Sequence, residues 1–286
     1  MFRNKSTCPS CSQRIDALDV DCPYCHTHNV EYDKIGLSPN AINVRWIYQL
    51  IFFLVGWLGL QIIGTIVQVL TLFIAGVSAE EYMTRIDLVG MNQFVIYGNL
   101  FLIFAILLFF SKGYKQLLRP LKSWKTYVFG LVGFGAALGL SIGWGAIQSI
   151  FNDSTSANQS MVKAIVLEYP ALSIIFLCFV GPICEELTYR VGMFGLLRRW
   201  NRVAAYLISI FIFAFIHFDI STLLNVLQGD PTPLINELWN LPSYLIGGAV
   251  LVTIYDFFGF GASSIAHILN NLISILMIIF TRYAGQ

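Results

Sequence analysis

Two adjacent carboxylates, Glu185 and Glu186, interrupt an otherwise largely apolar stretch of the sequence between Ala171 and Leu197. Arg190 follows Glu186 by four residues, so on a helix these two side chains share a face and can form an ion pair. Glu185 points about 100° away from Glu186 and need not join that pair. We therefore expect arginine to hold Glu186 ionised, while Glu185 stays free for proton chemistry in a partly dry cavity.

Two further apolar stretches carry imidazole and amide groups at the same four-residue spacing. Phe213 and His217 lie on one stripe of the first stretch, and His267 and Asn271 lie on one stripe of the second. A set of one carboxylate and two histidines, here Glu185, His217 and His267, suits either a metal ion or the direct activation of a water molecule. We expect the three helices to meet at one active site. When any one of these pairs is considered by itself, the alternative is a polar contact that only holds neighbouring helices together.

Four cysteines near the start of the chain form two CxxC pairs, Cys8 with Cys11 and Cys22 with Cys25. Two such turns supply four thiolates in the tetrahedral geometry that Zn²⁺ prefers in a closed structural site. The alternative, a pair of redox motifs, is disfavoured because redox CxxC motifs normally occur singly and near a βαβ pattern. The spacing predicts a zinc ribbon over residues 1–30. The metal is expected to stabilise the fold, because so small a hydrophobic core needs an additional cross-link.

The composition excludes a soluble globular enzyme and a disordered chain. Of the 286 residues, 57% are apolar and only 12% are charged, whereas soluble domains carry roughly 25% charged residues. A bilayer core needs about 20 apolar residues in helical form. This criterion predicts an all-α membrane bundle of seven spans, with a short eighth helix within 218–239 as an option. The predicted spans are Trp46–Val77, Leu88–Ser111, Thr126–Asn152, Ala171–Leu197, Val203–Phe218, Leu238–Tyr255 and Ala262–Tyr283.

The basic residues orient this predicted bundle in the cell membrane. No apolar core of signal-peptide length precedes residue 44, so the first span is expected to be an uncleaved anchor with the N-terminus in the cytoplasm. Thirteen Lys and Arg residues, Arg3 and Lys5 among them, then fall on the cytoplasmic side and three fall opposite. Seven spans place the C-terminus on the side opposite to the N-terminus. The predicted domains are the ribbon 1–30, a linker 31–45, N-terminal membrane helices 46–124 and a catalytic bundle 125–286.

The depths of the candidate groups differ in this arrangement. Glu185 and His217 each lie about 20 Å of helix from the cytoplasmic end, whereas His267 lies about 8 Å in. A turn at Gly259–Gly261 that is recessed within the bundle would bring them to one level. In addition, Pro182 removes a helical N–H just before the carboxylates, which favours a bend of the helix around a cavity.

The ordered set Glu185-Glu186-x-x-x-Arg190, Phe213-x-x-x-His217 and His267-x-x-x-Asn271 resembles the CPBP family of intramembrane proteases. This family of CAAX proteases and bacteriocin-processing proteins includes CAAX prenyl proteases and the Abi and lysostaphin-resistance-like proteins. The resemblance covers about residues 125–283. It implies hydrolysis of a peptide bond in a membrane-associated protein or peptide tail that is lipidated or hydrophobic.

The resemblance also implies a role for each residue. Glu185 would be the general base with His217 assisting or ligating, His267 and Asn271 would stabilise the oxyanion, and Glu186 with Arg190 would hold the helix and tune Glu185. A catalytic zinc on Glu185, His217 and His267 and a metal-free Glu–His pair both fit these residues, with a slight preference for the metal-free version.

Two other functions use the same residues. A catalytically silent membrane scaffold or bacteriocin-immunity protein would keep the fold, but it has no need of the complete motif set. A small proton-coupled transporter would use buried acids and histidines, but such proteins usually show inverted repeats, which this sequence lacks. Besides membrane lipid and the substrate, an unidentified protein partner of the ribbon is expected. The nearly balanced charge of the ribbon argues against nucleic acid as a partner.

Overall fold

The computed structural model describes residues 6–17, 19, 21–35 and 40–284. Arg3 and Lys5, which contribute to the predicted orientation, and the linker residues 36–39 lie outside the described residues. A small module at the start precedes a bundle of helices, in agreement with the predicted fold class.

The secondary structure consists of one short hairpin and a series of helices. In the hairpin, strand β1 (Ser6–Thr7) pairs antiparallel with β2 (Arg14–Ile15), and a further bridge joins Asp21 to His28. A 3₁₀ turn spans Pro120–Lys122. The helices are α1 Val30–Ile35, α2 Trp46–Ala75, α3 Ala79–Thr84, α4 Ile86–Phe110, α5 Tyr114–Leu118, α6 Trp124–Phe151, α7 Ala157–Glu168, α8 Pro170–Arg198, α9 Arg202–Phe215, α10 Thr222–Leu227, α11 Thr232–Phe258 and α12 Phe260–Ala284.

Within the described residues, six helices are long and apolar enough to cross a membrane, rather than the predicted seven. They are α2, α4, α6, α8, α11 and α12. The predicted fifth span, Val203–Phe218, is the 14-residue helix α9. Asn201 caps its start by accepting a hydrogen bond from the Ala204 amide, and the chain leaves the helix in a turn at Ile216–Phe218, so the helix is shorter than a typical span. The optional eighth helix is present as α10.

Helix α8, which carries Glu185 and Glu186, departs from regular α-helical geometry on both sides of Pro182. The helix is π-helical over Ile174–Val180 and again over Glu186–Phe194, with Gly181–Glu185 α-helical between them. Proline lacks the N–H that would continue the α-helical ladder, and π-helical turns occur frequently at functional sites. The hydrogen-bond ladder is therefore irregular over two long segments, while the expected bend around a cavity stays a prediction.

Close packing surrounds α8, which contacts α2, α4, α9 and α12. Gly192 allows the approach of α2, because a Cβ atom at this position would lie only 2.6 Å from the backbone nitrogen of Phe53. Every residue of the segment Glu186–Phe194 is buried. A larger residue at Gly192 would overpack this core at a cost in free energy, so the glycine allows α2 to pack directly against α8.

The turn between α11 and α12 is covered by the chain that precedes the first span. Gly259 has a φ of +87°, and a Cβ atom there would lie 2.5 Å from the carbonyl oxygen of Asn40. The neighbouring Ala41 and Ile42 are almost completely buried. The turn is thus recessed under residues 40–42, as the sequence suggested, and this part of the predicted linker packs into the bundle core.

Arg199 connects the N-terminal module with the bundle. Its side chain is 1% exposed and lies 3.5 Å from the carboxylate of Asp16. The same guanidinium donates hydrogen bonds to the backbone oxygen of Val44 at 2.8 Å and to the side-chain oxygen of Gln49 at 2.7 Å. One buried cation therefore contacts the N-terminal module, the buried chain segment and helix α2.

Candidate active site and metal centre

Glu186 is a fully buried anchor at the centre of the bundle. Its Oε2 atom lies 3.5 Å from Nε of Arg190, which confirms the ion pair expected from their spacing. Its Oε1 atom lies 3.0 Å from Nδ1 of His267, and the Ser263 hydroxyl donates to Oε2. Glu186 thus links α8 to α12 as well as holding Arg190. The sequence did not predict its contact with His267.

Arg190 is also fully buried, and its contacts extend to helix α9. Its Nη1 atom lies 3.3 Å from the Ser209 hydroxyl, and its guanidinium carbon lies 4.6 Å from the centre of the Phe213 ring. Its Nε and Nη2 atoms have no hydrogen-bond partner among the described residues. Glu186 therefore provides the main compensation for the buried positive charge, which makes this pair costly to break from one side.

Glu185 occupies a different environment from its neighbour. Its side chain is 18% exposed, whereas that of Glu186 is completely buried. The hydroxyl of Tyr97 donates a hydrogen bond of 3.2 Å to Oε1 of Glu185, and Oε2 lies 3.6 Å from Nε2 of His267. His267 thus stands between the two carboxylates, with one ring nitrogen toward each. An imidazole with one proton donates to one of them, and an imidazolium donates to both.

His217 lies in the turn that follows α9. Its Nδ1 atom is 2.8 Å from the backbone oxygen of Phe213, and its ring stacks on Tyr244 with centres 4.6 Å apart. A carbonyl oxygen only accepts hydrogen bonds, so Nδ1 carries a proton and Nε2 of the neutral ring has a free lone pair. The ring interacts electrostatically with Glu185 and His267. The Phe213 ring is near both histidines, with centre distances of 5.2 and 5.8 Å.

Asn271 is one helical turn beyond His267 on α12. Its side-chain amide donates a hydrogen bond of 3.0 Å to the backbone oxygen of Leu177. Leu177 belongs to the first π-helical segment of α8, where the regular hydrogen-bond ladder is altered. This contact ties α12 to α8. It leaves the second N–H of the amide available to another acceptor.

The four cysteines form a second, separate site. The Sγ atoms of Cys8 and Cys25 are 3.5 Å apart, those of Cys11 and Cys22 are 3.6 Å apart, and all four lie within 4.8 Å of one another. A zinc tetrahedron with Zn–S bonds of about 2.3 Å has S···S edges of about 3.8 Å. The donor atoms therefore fit a tetrahedral metal ion.

The two cysteine turns have matching backbone geometry. The residue after the second cysteine of each pair, Ser12 or His26, has a φ near +58°, and its amide donates to the oxygen of the first cysteine. Hydrogen bonds from the side chain and backbone of Thr27 lower the pKa of Cys25 to about 6. This favours the thiolate that a metal requires at neutral pH.

The donors of the catalytic zinc considered above are less closely gathered. Among the described residues, the cysteines are the group of three or more ligands whose donor atoms all lie within 4.8 Å of one another. Glu185, His217 and His267 do not meet this distance in the structure.

Three contacts of the site were not identified from the sequence. Ser263 precedes His267 by four residues, so its position on the same helix face was a usable signal. Tyr97 and Tyr244 gave no comparable signal, because each is one of 13 tyrosines and neither belongs to a motif. Their contacts with Glu185 and His217 depend on how the helices pack.

The comparisons with known proteins agree with the position of this site. Residues 167–273 match the family model described as Type II CAAX prenyl endopeptidase Rce1-like, and this range includes Glu185, Glu186, Arg190, His217, His267 and Asn271. No curated protein and no solved structure gives a match. The matched range lies inside the region for which the sequence resembled intramembrane CAAX proteases. The resemblance is thus confirmed for residues 167–273, which match the Rce1-like CAAX endopeptidase family model.

Proposed function

We propose that this protein is an intramembrane endopeptidase that cleaves a lipidated or hydrophobic peptide tail with a water molecule activated by Glu185 and His217. The observation that carries the proposal is the placement of His267 between two carboxylates, 3.0 Å from Glu186 and 3.6 Å from Glu185. These groups come from two helices of a segment that matches a CAAX endopeptidase family. Ionisable side chains that cluster within membrane-spanning helices are typical of a functional site rather than of helix packing alone.

Glu185 is the proposed general base. Of the two adjacent carboxylates it is the one with an exposed fraction, so a water molecule can reach it. The carboxylate takes a proton from the water as the oxygen attacks the peptide carbonyl, and it later returns the proton to the leaving amine. Nε2 of the neutral His217 ring provides a second acceptor that can orient this water.

His267 and Asn271 are proposed to stabilise the negative charge that develops on the carbonyl oxygen. Nδ1 of His267 is engaged by Glu186, whereas Nε2 lies 3.6 Å from Glu185, beyond hydrogen-bond distance, so an imidazolium can donate its Nε2–H to an oxyanion, as can the uncommitted N–H of the Asn271 amide. Glu186 fixes the ring of His267 through Nδ1 and is itself fixed by Arg190 and Ser263. In this proposal Glu186 is therefore part of the support for the oxyanion site and does not act on water.

A catalytic metal is not needed for any of these steps. Glu185, His217 and His267 are chemically suitable zinc ligands, and a bound ion would supply Lewis-acid activation of water or carbonyl. The residues do not gather their donor atoms as the cysteines do. The steps above therefore use the side chains of the chain itself.

An apolar cavity between the helices that carry the site supports an apolar substrate. This cavity of about 350 Å³ lies between α4, α8 and α12, and its walls include Phe101, Ile183, Leu187, Ser264 and Ile268. Both α8 and α12 carry residues of the candidate site. A lipid chain or an apolar side chain in this space would bury hydrophobic surface between these two helices and α4.

The proposal is tested with the full chain purified and reconstituted in lipid vesicles. The probe is a synthetic peptide that ends in a farnesylated cysteine followed by three residues, together with its unmodified counterpart. We expect cleavage after the modified cysteine, identified by mass spectrometry, and loss of cleavage in Glu185→Ala. Intact peptide with both probes and with a panel of hydrophobic membrane-tethered peptides would refute the proposal and favour a scaffold. Substrate-driven proton flux without cleavage would favour a transporter.

A further inference from the structure

Helix α4 contributes a side chain to the candidate site although it lies outside the segment that matches the endopeptidase family. The hydroxyl of Tyr97 donates a hydrogen bond of 3.2 Å to Oε1 of Glu185. Among the hydrogen bonds of the described residues, this is the one that joins α4 to either of the two carboxylates of α8.

Packing fixes the position of the Tyr97 ring. A Cβ atom at Gly181 would lie 3.4 Å from Cζ and 3.5 Å from Cε1 of the tyrosine, so the ring rests directly on the turn of α8 that leads to Glu185. The ring also packs against the buried core cluster that includes Phe104 and Leu187. A phenol held in this way has little freedom to turn its hydroxyl to another acceptor.

The hydrogen bond also determines how Glu185 presents its two oxygens. Oε1 is engaged by Tyr97, and Oε2 lies 3.6 Å from His267. A partly exposed glutamate without the tyrosine would be free to rotate about its last torsion, which is broad for a carboxylate. With the tyrosine in place, Oε1 is held by a donor from α4 while Oε2 faces His267 of α12.

We infer that Tyr97 is a positioning residue that orients the carboxylate of Glu185 for proton transfer in the proposed peptidase reaction. The inference rests on the proposed function. It extends the working site beyond residues 167–273 to helix α4, which that segment does not contain. A misplacement of about 1 Å in a catalytic group can lower the rate by roughly 100-fold. Loss of the hydroxyl is accordingly expected to lower kcat by roughly 10- to 100-fold with little change in KM.

Tyr97→Phe in the full chain tests the inference, with Tyr82→Phe as the matched control. Tyr82 is also buried, and its hydroxyl accepts a hydrogen bond of 3.0 Å from Asn92 in helix α4, with no part in the site. With the farnesylated peptide in vesicles, Tyr97→Phe is expected to lose kcat while Tyr82→Phe keeps it, at similar melting temperatures. In a Glu185→Ala background, Tyr97→Phe should cause no further loss. Wild-type kcat in Tyr97→Phe, or an equal loss in both tyrosine variants, would overturn the inference.

A second measurement separates this inference from the proposed function. If the wild-type protein cleaves no probe, the proposed function fails, and the Tyr97–Glu185 contact is then measured by stability alone. Melting of the wild type, Tyr97→Phe, Glu185→Ala and the double variant forms a complete cycle. Effects that are clearly non-additive support the orienting contact. Additive effects would overturn it.

Discussion

Glu185 and Glu186 are neighbours in sequence, but exchanging each for glutamine should have opposite consequences. Glu186→Gln removes the charge that faces Arg190 at 3.5 Å and His267 at 3.0 Å in a fully buried position. Breaking a buried ion pair from one side costs about 3–5 kcal/mol. A cost of this size lowers the melting temperature of a large domain by roughly 6–20 °C. Glu186→Gln should therefore be poorly stable.

Glu185→Gln should keep its stability and lose its activity. The side chain is partly exposed, and the oxygen of the glutamine amide can still accept the hydrogen bond from Tyr97. The amide cannot accept a proton from water, and the removal of a catalytic base typically costs roughly 10²- to 10⁴-fold in rate. This variant thus separates the chemistry from the fold.

The assay pairs thermal melting with peptide cleavage for both variants and adds Arg190→Met in the Glu186→Gln background. Replacing the stranded guanidinium by an apolar side chain should recover part of the lost stability, because the buried charge is then absent. Robust cleavage by Glu185→Gln would refute its assignment as the base. An inactive but fully stable Glu186→Gln together with an active Glu185→Gln would show that the roles of the two glutamates are reversed.

Two further predictions concern the metal centre and the packing of α8. Metal analysis of the purified chain should find about one zinc ion per protein, and Cys8→Ser should abolish it. About two ions, one of them retained in Cys8→Ser, would instead place a metal at Glu185, His217 and His267. Gly192→Ala should lower stability by about 1–3 kcal/mol, because its Cβ atom would meet the backbone of Phe53 at 2.6 Å. Gly135→Ala, which places its Cβ atom in open space, should melt like the wild type.

Local spacing predicted a large part of the site. The four-residue separation of Glu186 and Arg190 gave their ion pair, and the cysteine pairs gave a cluster that the structure gathers within 4.8 Å. Both results depend on the geometry of a single turn or a short loop, which the sequence determines directly. The bundle itself followed from the length and apolar character of its helices.

The remaining features depend on contacts between distant parts of the chain. The hydrogen bond of Tyr97 to Glu185 joins residues 88 positions apart, and that of His267 to Glu186 joins residues 81 positions apart. Nothing in the periodicity of one helix specifies the neighbour that its polar groups will meet. The 14-residue length of α9 was also missed, because hydropathy continues through the turn at Ile216–Phe218 while the helix does not.

Arg199 links the cysteine module to the helix bundle, so a loss of activity in the presence of a chelator would not by itself identify a catalytic metal. Stripping a metal ion from the four thiolates would remove binding free energy that stabilises the fold of the N-terminal module. Asp16 then ceases to be a fixed acidic partner for the buried Arg199 guanidinium, which also contacts Val44 and Gln49. Gln49 packs against Gly195 near the end of α8. Under the proposed function, a chelator can thus weaken catalysis from the Arg198 end of α8 without touching the reacting groups. Sensitivity to chelation would classify this chain as a metallo-endopeptidase only if Cys8→Ser failed to reproduce the effect.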